Sequence, residues 1–142
     1  MRICGVELSS NDAVVCLLAL DRGQFSIEEC RVRKLTLKKD HTREELKYFQ
    51  STFLKLMDDY KIDKVVIKER LTKGKFAGGA ISFKLEATIQ LIEELDVVLL
   101  SPTQIKSALS ENSLTIPFAE TGLKVFQESA FSVAYAAHML KK

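Results

Sequence analysis

Ile3-Cys4-Gly5-Val6-Glu7 and Lys64-Val65-Val66-Ile67-Lys68-Glu69 decide how this chain is read. Each is a short apolar run of strand type, and each ends on a glutamate. An ionised carboxylate at the tip of a buried strand is costly unless a cation or hydrogen-bond donors meet it. A third acid, Glu128, opens the last helical stretch. Acids delivered by three distant segments are what a fold needs to assemble a site for a hard divalent cation by tertiary contact.

Around these two runs the chain alternates in type. Residues 2–8 read as a strand, Ser9-Ser10-Asn11-Asp12 as a turn, and 13–20 as a strand covered on both faces. Residues 24–37 alternate apolar and polar, then slip phase at Glu28-Glu29, which predicts a bulge. Arg31, Arg33, Lys34, Lys38 and Lys39 suit an edge strand protected against self-association, and equally a track for nucleic acid. Thr42-Arg43-Glu44-Glu45 has capping-box spacing, and Leu46, Phe49, Phe53, Leu56, Met57 and Tyr60 recur on one helical face.

After the strand at 64–69 comes a glycine-rich loop, Lys73-Gly74-Lys75-Phe76-Ala77-Gly78-Gly79, then a helix carrying Ile81, Leu85, Ile89 and Ile92. Residues 96–100 form a fifth strand. Ser101-Pro102-Thr103-Gln104 combines a cap, a proline at the first helical position and a glutamine at the third, so a helix starts there. Residues 110–120 read as a loop. A last helix runs from about 122 to 140, with small residues (Ser129, Ala130, Ser132, Ala134, Ala136, Ala137) that allow close approach to a sheet. Strands joined by helices pair in parallel and a meander pairs antiparallel, so the expected fold is α/β: a mixed five-stranded sheet with helices packed on it.

The 142 residues, 46% of them hydrophobic, suffice for one well-packed domain, 1–142. A net charge of +2 provides no global basic field, so any nucleic-acid contact must come from a local patch. Cys4, Cys16 and Cys30 are odd in number and lack C-x-x-C spacing, which suits reduced thiols of a cytoplasmic protein. The longest apolar run, 13–20, is too short to cross a bilayer, so no membrane association is expected. His41 and His138 have no Cys or His at ligand spacing, which argues against structural zinc.

Several segments carry a resemblance to a known family. The order of elements is similar to the ribonuclease-H-like fold, and four stretches resemble its Holliday-junction resolvase (RuvC-like) branch. These are Gly5-Val6-Glu7, Val66-Ile67-Lys68-Glu69, Ser101-Pro102-Thr103-Gln104-Ile105-Lys106, and Glu128-Ser129-Ala130-Phe131-Ser132-Val133-Ala134. The chain also resembles a bacterial family of about this length to which no activity is assigned. In the resolvases the first strand carries an Asp, the fourth a Glu, and the last helix two Asp one turn apart. Here Glu7 replaces the first, Glu69 keeps the second, Glu128 replaces the third, and Phe131 stands at the fourth.

The resemblance implies a nucleic-acid-directed protein, with DNA or RNA as partner and a homodimer as its assembly. Glu7, Glu69 and Glu128 would act as catalytic metal ligands for Mg²⁺ or Mn²⁺ in phosphodiester hydrolysis, the ions held about 3.5–4 Å apart where two bind. Lys73, Gly74, Lys75 and Lys106 would contact phosphate, the glycine loop through backbone N–H groups, and Phe76 would stack on a base or anchor the loop. The alternative is a catalytically inactive binding or assembly module on the same fold. Phe131 argues for that alternative.

Overall fold

The computed structural model describes residues 1–38, 41–73, 79–112, 114 and 116–140. Within these residues six strands, β1 (Arg2–Ser9), β2 (Asp12–Asp21), β3 (Gln24–Glu28), β4 (Lys34–Thr36), β5 (Lys64–Lys68) and β6 (Val97–Leu100), form one sheet. Among the described residues four α-helices accompany them: α1 (Arg43–Asp59), α2 (Ala80–Gln90), α3 (Pro102–Glu111) and α4 (Glu128–Leu140). Strand order is β3-β2-β1-β5-β6, with β4 also pairing β2. The meander β1-β2-β3 is antiparallel, whereas β1, β5 and β6 run parallel.

The predicted third strand arrives in two pieces. β3 ends with Glu28 opposite Leu17, and β4 begins with Lys34 opposite Val14, so residues 29–33 bow out across Val15 and Cys16 alone. The phase slip marked the place, and the detour is larger than a one-residue bulge; one bond, Val15 N–H to Arg33 C=O (3.0 Å), spans it.

Helix caps follow the sequence. Thr42 accepts from the Glu45 N–H at 3.3 Å. Ser101 and Gln104 close a reciprocal capping box, at 3.1 Å and 2.9 Å. The last helix starts later than about residue 122. Residues 118–127 instead make two single 3₁₀ turns, Phe118–Glu120 and Val125–Gln127. The cause is Gln127, whose buried amide accepts from the Lys124 N–H (3.0 Å) and donates to the Val15 carbonyl (3.1 Å). Gly122, at φ +79°, supplies the left-handed step before it.

Alternation along β1 separates two apolar layers. Cys4, Val6 and Leu8 face α1 and α2, together with Val65 and Ile67. Ile3 faces α3 and α4, together with Val14, Cys16, Leu18 and Val66. Gly5 lies between them on the α4 side, where a Cβ would sit against the Ala130 carbonyl oxygen, 2.7 Å from Ala134 N and 2.9 Å from Ala134 Cβ. The small residues of the last helix therefore do what their size suggested. No described helix is long and apolar enough to cross a membrane.

All three cysteines are unpaired; Cys4 and Cys16 are buried and Cys30 half-buried. Burial pushes the Cys16 thiol from 9.0 up to about 12, with the Cys30 thiol adding to the shift. Cys4 is also raised, chiefly by burial and then by Cys16 and Cys30.

Two outcomes are expected. Gly5→Ala forces α4 off the sheet, because the atoms in the way are mainly backbone; urea denaturation should show a loss of about 3 kcal/mol or more. The raised thiols make folded-state stability complete below pH 9 and progressively lost as pH climbs toward 12. Each thiol contributes up to about 1.4 kcal/mol per pH unit. Denaturation midpoints across pH 8–11 should fall less steeply for Cys16→Ala than for the parent.

Candidate nucleic-acid interface

The parallel strands β1, β5 and β6 bring their carboxyl ends to one end of the sheet. α4 runs antiparallel to β1: Gln127 reaches Val15, which pairs with Val6, while the His138 ring bonds the Leu18 carbonyl (2.8 Å), and Leu18 pairs with Ile3. The N-terminus of α4 therefore stands over the tip of β1. α3 begins two residues after β6, and Glu86 of α2 accepts from the Arg70 N–H at 3.2 Å just beyond β5. Partial positive charge from the amino ends of α3 and α4 thus falls on this end. Such strand ends are where ligands bind in open α/β sheets.

Register fixes which side chains share a face. Lys34 pairs with Val14, and Val14 with Glu7. The β1-β5 ladder ends at Val6 opposite Ile67, so Glu7 and Lys68 are the next residues on the two strands, and Lys68 pairs with Leu100. Val14 and Leu100 pack in the α3/α4 layer. The row Lys34, Val14, Glu7, Lys68, Leu100 therefore crosses the sheet on that face. Glu69 continues the ladder through its N–H to the Leu100 carbonyl (2.8 Å), with the parity of Val65 and Ile67. The pleat thus assigns Glu69 to the opposite face from Glu7.

The three acids do not meet as the sequence reading expected. Glu7 is half-buried, and Glu69 and Glu128 are exposed. Among the described residues no group of three or more His, Cys, Asp or Glu side chains is placed to hold a metal ion. The neighbour of Glu7 on β5 is a lysine, which opposes a cation instead of ligating it. Phe131 is 1% exposed and packed between Phe118 and Tyr135, with ring centroids 5.9 and 6.3 Å away. The donor set does not fit a two-metal carboxylate centre.

The ion pairs of the described residues, Arg2–Glu28, Arg31–Asp59, Lys34–Asp12, Lys38–Glu45 and Lys55–Asp59, gather around the meander and α1. Arg31 and Lys38 are thereby committed to internal partners, and Lys39 lies outside the described residues. Lys68 and Arg70 at the end of β5, Lys73 in the segment beyond it and Lys106 in α3 form no ion pair with a described residue, and neither do Arg22, Arg43, Lys47, Lys61, Lys64 and Lys84 elsewhere. The Nε of Arg70 is enclosed with no acceptor among the described residues. Gly74, Lys75 and Phe76 also lie outside the described residues. Sequence reasoning missed Lys68, Arg70 and Gln127. Parity within Val65-Val66-Ile67 could have flagged Lys68, but all three are buried, so hydrophobicity does not distinguish the two faces.

A family model described as "Protein of unknown function (DUF3010)" matches residues 1–137. The chain belongs to that family. No curated protein matches it in sequence. The DUF3010 chain is similar in structure to Thermus thermophilus RuvC, at 11% identity and a TM-score of 0.75, covering 98% of this chain and 94% of that one. T. thermophilus RuvC in complex with Holliday junction substrate aligns at 12% identity and TM-score 0.68, covering 98% and 93%. A Fowlpox virus resolvase in complex with substrate Holliday junction DNA aligns at 13% and 0.56, covering 99% and 100%. Identities this low establish the ribonuclease-H-like fold and nothing finer.

In the DUF3010 chain Phe131 cannot be exchanged for the acid of the resolvase pattern without unfolding the layer around it. Phe131→Asp removes a buried ring and leaves a carboxylate among apolar side chains. Urea titration should show a loss of at least about 3–5 kcal/mol, with no gain of metal-dependent cleavage.

Proposed function

We propose that residues 1–142 form one nucleic-acid-binding domain on a resolvase-like fold, working without a metal-dependent cleavage centre. One observation carries this reading: Lys68, Arg70 and Lys106, each without an ion-pair partner among the described residues, stand at or beside the end of the sheet where helix amino termini converge, with Lys73 in the segment that follows, while the acids there are dispersed. Lys68, Arg70, Lys73 and Lys106 contact phosphate, and the N–H groups opening α3 and α4 add to the attraction. Two structures of similar fold, T. thermophilus RuvC and the Fowlpox virus resolvase, are complexes with Holliday junction DNA, which supports nucleic acid as the ligand class. Glu7, half-buried among these positive groups, repels phosphate locally and makes the backbone pass beside it. Under the competing reading, Glu7, Glu69 and Glu128 would bind Mg²⁺ or Mn²⁺ and cleave the ligand.

The test is fluorescence anisotropy with labelled single-stranded, duplex and four-way-junction DNA and matching RNA over a salt series. The parent should bind at least one form. Lys68→Gln/Lys73→Gln/Lys106→Gln should weaken binding by about tenfold or more at 0.1 M salt and flatten the log K against log salt slope by roughly 2–3, close to one for each phosphate no longer neutralised. Unchanged affinity and slope would remove the assignment. Mn²⁺-dependent cleavage that disappears in Glu7→Gln would instead establish the metal reading.

A further inference from the structure

Beside the amino end of α4, the turn Val125–Gln127 presents two large apolar side chains to water. Val125 is 82% exposed and Phe126 47% exposed. The next residue, Gln127, is 4% exposed and clamped to both Val15 and Lys124. The turn is therefore anchored with its apolar residues outward, leaving apolar surface that a ligand would cover. Lys34 Nζ lies 5.6 Å from the centre of the Phe126 ring. Lys34 belongs to the cross-sheet row of Glu7 and Lys68, two strands from Glu7, or roughly 10 Å. The turn is thus continuous with the end of the sheet already assigned to phosphate.

Charge alone does not distinguish this patch. Arg33 and Lys124 have no ion-pair partner among the described residues, but Asp12 shares Lys34 and Glu128 follows the turn. Its distinguishing feature is a fixed, exposed ring beside a cation. A single strand offers unstacked base faces to such a ring, whereas a continuous duplex keeps its bases stacked inside. We propose that Phe126 is a base-stacking platform, and that the ligand is single-stranded or locally unpaired nucleic acid, with Arg33 and Lys124 on the flanking phosphates. This rests on the nucleic-acid reading above and names the ligand class for it.

The chain contains no tryptophan, so Phe126→Trp introduces a single fluorescent reporter at the platform. The experiment compares the parent, Phe126→Ala and Phe126→Trp on a 12-nucleotide strand and on its blunt duplex. Phe126→Ala should weaken single-strand binding roughly 5- to 100-fold, the range expected for one stacked base. That loss should persist from 0.05 to 0.3 M salt, and duplex affinity should stay unchanged. Phe126→Trp should keep the parent affinity, and its fluorescence should be quenched by the single strand only. Phe126→Ala binding the strand as the parent does, or losing equally on both ligands, overturns the platform while leaving the nucleic-acid reading standing. A parent that binds neither ligand ends the platform, and the junction and RNA arms of the series above then decide the nucleic-acid reading.

Discussion

Gly5 is the point on which the arrangement turns. Without a side chain there, the backbone of α4 lies directly on β1, with Ala130 and Ala134 filling the space a Cβ would take. That contact sets the height and the slide of α4 over the sheet. The slide in turn brings the amino end of the helix above the tip of β1 and delivers Gln127 to the Val15 carbonyl. Native cores pack near crystalline density, so a glycine facing two alanines specifies one seating rather than a range. The site at the sheet end, its helix dipoles and the outward turn at 125–127 all inherit their positions from this close approach.

The chemistry at that end is governed by where carboxylates are placed. A metal centre of the resolvase kind needs acids converging on one point, and convergence in a sheet depends on pleat parity. Glu7 lies two residues before the end of β1 and Glu69 just past the end of the neighbouring β5, yet they differ in parity, and Lys68 occupies the position beside Glu7. On α4 the fourth position of the resolvase pattern is filled by a buried phenylalanine whose ring completes an aromatic cluster with Phe118 and Tyr135. The end of the sheet is left with cations that pair with no described acid and with dispersed anions. Such a surface attracts phosphate more readily than it organises divalent metal.

Much of the architecture was legible in the sequence because it depends on local periodicity and capping. The stripe from Leu46 to Tyr60 marked α1, and the Ser101-Pro102-Thr103-Gln104 signature marked the start of α3. The slip at Glu28-Glu29 marked the break between β3 and β4. The start of α4 was misplaced because the cause, a buried glutamine bonding a strand more than a hundred residues earlier in the chain, leaves no local trace. The faces that Glu7 and Glu69 take were not legible for a related reason. Val65-Val66-Ile67 is buried on both faces, so nothing in its hydrophobicity tells which face each side chain takes.

The sequence by itself determined the class of fold, the order of its elements and the small-residue face by which the last helix approaches the sheet, since these follow from hydrophobic period, turn chemistry and side-chain size. Only the tertiary structure decided which charged residues share a face, which are neutralised by partners and which remain to meet a ligand. Those outcomes depend on a one-residue register between strands more than fifty positions apart. A shift of one residue there reverses every side chain while leaving composition and periodicity unchanged.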